Sequence, residues 1–93
     1  MLRITITEQG DSAIIRLEGK LTGAWVEELR RCWQETSAQA EGRTIVTDLG
    51  AVSFVDVPGQ KLLREMHVAG TTLIGRGVLT TYLVDQIEDY YAS

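Results

Sequence analysis

Apolar and polar residues alternate almost from the first position. Leu2, Ile4 and Ile6 interleave with Arg3, Thr5 and Thr7, the period of a half-buried strand. Ala13, Ile15 and Leu17 interleave with Ile14, Arg16 and Glu18 in the same way. The short turn Gln9-Gly10-Asp11 between them predicts an antiparallel hairpin, with Gly19 ending the second strand. The period then changes. After Thr22, a suitable N-cap, residues Trp25, Leu29, Cys32, Trp33 and Thr36 recur at helical spacing. Glu27 precedes Arg31 by one helical turn, the favoured order for an ion pair on a helix face. This helix is expected to reach Gln39 and to break at Glu41-Gly42.

The centre of the chain organises the rest. Arg43 to Leu49 is β-branched and apolar with one acid, Asp48, near its end, which suits a strand buried on both faces. Gly50 to Val55 is expected to carry the chain as a loop to the turn Asp56-Val57-Pro58-Gly59. In the helix that follows, Leu62, Leu63 and Met66 share one face, while Lys61, Arg64 and Glu65 look away from it. Proline suits the first turn of a helix and disfavours the helical region for Val57 before it. Ala69-Gly70 ends the helix, Thr71 to Ile74 is a short apolar strand, and Gly75-Arg76-Gly77 is a loop. Leu79, Tyr82, Leu83, Gln86, Ile87 and Tyr90 mark the face of a last helix. The order is β-β-α-β-α-β-α. It predicts one α/β domain over residues 1–93, with a small mixed sheet and parallel strands joined by packed helices.

Composition narrows the function classes. Ninety-three residues with 44% hydrophobic and 24% charged positions make one small globular domain. The net charge of −4 argues against a nucleic-acid surface. No apolar run approaches the length of a membrane span, and the alternating start Met1-Leu2-Arg3-Ile4-Thr5 is not a signal peptide. Cys32 stands alone, so cysteines build neither an internal disulfide nor a zinc site. These features predict a cytoplasmic protein without metal or cofactor.

The run TIVTDLGAVSFVDVPGQKLL resembles the core of STAS domains, the anti-sigma-factor-antagonist family. There, a buried strand ending in Asp-Leu leads to a Val-x-Phe-(Ile/Val)-Asp-Ser-(Ser/Ala/Thr)-Gly stretch and a helix. Asp48, Leu49, Val52, Phe54, Val55, Asp56 and Gly59 match that pattern, and IIRLEGKLTG upstream is similar to the family's second strand and first helix start. The resemblance implies a bacterial regulatory module that binds a protein: a kinase-like anti-sigma factor, a sensor complex or an ABC-transporter subunit. The family's phosphorylated residue precedes the glycine. Here it is Pro58, with Val57 before it, so the switch hydroxyl is missing. STAS domains commonly continue with another strand and helix, so stopping at Ser93 implies a short member and a weak homodimer that covers what is left open.

The candidate partner-binding residues are Asp56, Val57, Pro58, Gly59 and Lys61, at a helix N-terminus whose free N–H groups and partial positive charge also suit an anion. The alternative function is therefore a small-ligand or nucleotide module using Asp48, Asp56 and Gly59. The plainer reading of Asp56 and Gly59 is that they shape the turn, and of Asp48 that it binds backbone N–H groups of the following loop. No catalytic site is expected. His67 lies far along the helix from Asp56. Ser12, Ser37, Ser53 and Ser93 sit in no nucleophile elbow, and no phosphate-binding or dinucleotide motif occurs. Of the final pair Tyr90-Tyr91, one ring is expected at the surface or against a partner.

Overall fold

The structure, a computed structural model, describes residues 1–75 and 82–87. Strands β1 (Leu2–Gln9) and β2 (Ser12–Leu21) form the expected hairpin, with Leu2 opposite Gly19 and Gln9 opposite Ser12. Gly10, at φ 56°, takes the first central position of the two-residue turn, where glycine meets no steric cost. Helix α1 (Ala24–Gln39) leads to β3 (Thr44–Val55), helix α2 (Val57–Val68) to β4 (Thr72–Ile74), and residues 82–87 are helical (α3). The sheet order is β1-β2-β3-β4. The hairpin is antiparallel and the β2–β3 and β3–β4 pairs are parallel, as the sequence order implies.

One face of the sheet holds the core. Ile15, Thr47 and Leu73 are register partners and share that face. Ile15, Leu17, Leu21 and Leu49 from the strands pack there with Val26 and Leu29 of α1, Leu62, Leu63 and Met66 of α2, and Val84 and Ile87 of α3. The neighbouring set Arg16, Asp48 and Ile74 points the other way. Burial on both faces is met in the run Thr47–Leu49, whereas Ile45 and Val46 are half-buried.

Several local expectations are corrected. Gly50 to Val55 is strand, not loop, because β2 also runs on past Gly19 to Leu21 and pairs with it: Gly19 lies beside Val52 and Leu21 beside Val55. Gly19 kinks the strand instead of ending it. Its φ is 109°, and a Cβ there would lie 2.4 Å from the Met1 carbonyl oxygen. The N-cap of α1 is Gly23, without a side-chain cap, and not Thr22. Arg31 pairs with Glu28 and Glu35, and Glu27 pairs with Arg30 at 3.6 Å, so the expected Glu27–Arg31 pair is replaced by neighbouring ones. Val57 is helical although a proline follows it.

The helix ends follow the sequence signals closely. Glu41 and Gly42 both take positive φ (47° and 85°), which stops α1, and Arg43 donates to the Ala40 and Gln39 carbonyls left open there. At the end of α2, Gly70 (φ 100°) donates to the His67 carbonyl and Thr71 to that of Met66, the paired bonds of a Schellman stop. Of the final helix face, Leu79 and Tyr90 lie outside the described residues, as do Tyr91, Arg76 and Gly77.

Candidate functional site

Because Leu21 and Val55 are register partners, β2 and β3 release their chains side by side at one end of the sheet. The loop into α1 and the loop into α2 therefore touch. The Asp56 N–H donates to the Leu21 carbonyl at 3.1 Å. The Asp56 carboxylate then closes the junction from both sides. One oxygen accepts from the Gly59 N–H at 2.8 Å, capping α2, and the other from the Gly23 N–H at 2.9 Å, at the start of α1. A single acid thus holds the first turns of both helices, each with its partial positive end toward the carboxylate.

Gly59 is buried in this junction. A Cβ on it would lie 2.9 Å from Val55 Cγ1 and 3.0 Å from both Asp56 Oδ1 and the Leu21 carbonyl oxygen. Glycine is therefore required by close approach, since its φ is not in the positive region. Pro58 occupies the first turn of α2 and is exposed, as are Val57 and Lys61.

Asp48 is brought near neither helix start. It lies on the sheet face opposite the core and accepts from the Gly50 N–H at 2.9 Å, a bond within its own strand. Asp48 and Asp56 line neither the cleft between Trp33 and Thr71 nor the cleft beside the junction. The one beside the junction, about 250 Å³, is lined by Val52, Ser53, Phe54, Val55 and Gln60, and by Tyr82, Leu83 and Gln86 of α3. Phe54, Val57 and Tyr82 are 55%, 63% and 61% exposed. Tyr82 and Gln86, expected on the packed face of the last helix, are exposed instead, because Val84 and Ile87 take the core-facing positions of α3. Alternation from the buried Val52 would put Phe54 on the core face, and it is the register shift beside Gly19 that sets Phe54 opposite the exposed Lys20, which no local sequence signal marks.

Other named residues fall away from the junction. His67 is half-buried near the end of α2. Ser53 Oγ donates to the Gly19 carbonyl at 3.3 Å. Trp33 Nε1 donates to Thr71 Oγ1 at 3.0 Å, tying α1 to the start of β4. Arg30 reaches Glu65 of α2 at 2.5 Å, and this hydrogen bond lowers the Glu65 carboxyl below its ordinary range. Burial raises the Cys32 thiol. Among the described residues no cluster of metal-ligating side chains occurs, and no helix is long and apolar enough to cross a membrane.

The family model for the STAS domain matches residues 3–79. Among solved structures, an anti-sigma factor antagonist from Mycobacterium paratuberculosis superposes with a TM-score of 0.76 at 15% identity, covering 97% of this chain and 82% of that one. The Bacillus cell fate determinant SpoIIAA in its phosphorylated form gives 0.66 at 24% identity, covering 96% and 83%. A structure of Mglu gives 0.60 at 19% identity over 78% of this chain, which spans 19% of that much longer one. At these identities the superpositions establish the fold. No curated protein sequence matches the chain.

Proposed function

The chain belongs to the STAS domain family, and from that premise we propose that it is a non-catalytic docking module of the bacterial cytoplasm, whose docking surface is built on the start of α2. The family and the antagonist fold support a regulatory protein-interaction module. The observation that carries the location is the exposure of Val57 at the start of α2 and of Phe54 and Tyr82 in the cleft beside it, next to a junction held by two hydrogen bonds of Asp56. Pro58 and Lys61 complete the surface, with Asp56 and Gly59 as its frame. Partners of the kinase-like anti-sigma type, a sensor complex or a transporter subunit all fit a surface of this kind.

The alternative, an anion or nucleotide site at the α2 N-terminus, is disfavoured by the same hydrogen bonds. The Gly59 N–H is taken by Asp56, Pro58 has no N–H, and the Gln60 N–H donates to the Asp56 carbonyl at 2.9 Å. The Asp56 carboxylate itself occupies the place an anion would take, so a phosphate there meets like charge.

Pro58 also removes the family's switch. SpoIIAA has been solved in phosphorylated and unphosphorylated forms. Here the position before the glycine has no hydroxyl, so docking is constitutive and control lies with the partner or with expression.

A photo-cross-linker placed at Lys61, compared with one at Thr7 on β1, tests the location. Capture of the same partner from Lys61 and none from Thr7 is expected; the reverse pattern would remove the proposal. A melting shift of several degrees with millimolar nucleotide would favour the alternative.

A further inference from the structure

Helix α2 presents a single outward stripe. Val57, Lys61, Arg64 and Val68 are spaced four, three and four residues apart, which sets them along one line opposite the buried Gly59, Leu62, Leu63 and Met66. Val57 and Val68 are 63% and 61% exposed and lie at its two ends, about 16 Å apart along the helix axis. Lys61 and Arg64 lie between them. Glu65, at the stripe's margin, is the acid nearest to it on this helix, and Arg30 neutralises it from α1. Lys20, exposed, stands beside Phe54 by register at the end of the sheet from which α2 starts.

This face therefore has the opposite charge to the molecule. The chain carries −4 overall, yet among the described residues Lys20, Lys61 and Arg64 have no ion-pair partner. An acidic surface is repelled by most of the protein and attracted to this stripe, which gives both steering and register.

We propose that the α2 stripe receives an acidic amphipathic helix of the protein partner. Apolar side chains of that helix would seat on Val57 and Val68, and its carboxylates would lie over Lys61 and Arg64. The proposal rests on the docking function assigned to α2 above and specifies the chemistry of the partner.

The probe is a synthetic helical peptide with leucines at both ends of one face and glutamates between them. The control is the same peptide with lysines for glutamates. Amide NMR spectra of the isotopically labelled full chain locate the binding. The acidic peptide is expected to shift Val57, Lys61, Arg64 and Val68, to weaken as salt rises, and to bind about tenfold less tightly to the double variant Lys61→Glu, Arg64→Glu. Lys61→Gln, which removes one charge and adds none, should give a smaller loss. Equal binding of the lysine peptide on the same residues would overturn the acidic assignment and leave the docking function standing. No shift on α2 with either peptide would overturn both. Tighter binding to phosphatidylserine vesicles than to the peptide, lost in the double variant, would overturn the protein partner in favour of an anionic membrane surface.

Discussion

The Asp56 carboxylate accepts from Gly59 and Gly23 at once, so its removal strands two backbone donors at two helix starts. Asp56→Ala is expected to destabilise the fold by about 1–3 kcal/mol in urea unfolding. Asp56→Asn keeps an acceptor oxygen and should cost less. Equal losses for the two would argue against the bridging role. Gly59→Ala must displace Val55 or the Leu21 carbonyl and is expected to cost about 1–3 kcal/mol by the same measurement. The place of Asp56 just before a proline-led helix is a local signal, so its part in shaping that turn is legible in the sequence. Its second bond was not legible, because Gly23 is 33 residues away and is brought near by strand register alone. Pro58 makes a prediction of its own. Incubation with a partner kinase and ATP should leave the intact mass of the wild type unchanged and add phosphate to Pro58→Ser. A stoichiometric phosphate on the wild-type loop would contradict constitutive docking.

The pairing of elements sets a second group of expectations. α1 and α2 are joined at their surfaces by Arg30 and Glu65, whose side chains are 30% and 50% exposed. The lowered Glu65 carboxyl means that the pair stabilises the fold above the ordinary glutamate pKa, and that this contribution is lost as pH falls through the lowered folded value. With solvent screening the effect is no more than about 1 kcal/mol. Glu65→Gln should therefore lower the urea midpoint slightly at neutral pH and make no difference below the folded pKa; a gap that persists in acid would assign the loss to packing. Helix positions were legible because α1 and α2 carry clear apolar stripes and their stops use residues of positive φ at Glu41, Gly42 and Gly70. Residues 50–55 were not, because Gly50, Ala51 and Ser53 have little strand propensity and are held in β3 by pairing with β2 beyond Gly19. The choice of Glu28 and Glu35 over Glu27 as partners of Arg31 depends on side-chain directions that spacing does not fix.

Taken as a whole, the molecule separates its surfaces. The end of β3 and the start of α2 carry the exposed Phe54 and Val57, with the exposed Tyr82 on α3, while among the described residues the edge strand β1 pairs with β2 alone and its Ile6 is 46% exposed. A weak two-fold association along β1 is expected from that edge, and light scattering that gives monomer at all concentrations would remove it. Such a dimer leaves α2 free. Docking on α2 is tested most directly by the affinity of the captured partner for three forms of the chain: wild type, Val57→Glu and Thr7→Glu. Val57 touches the solvent and not the core, so the fold should survive its replacement. We expect Val57→Glu to weaken binding by tenfold or more, on the order of 1.4 kcal/mol or above, and Thr7→Glu to bind as the wild type does. Unchanged affinity for a folded Val57→Glu, or a loss confined to Thr7→Glu, would contradict docking on α2.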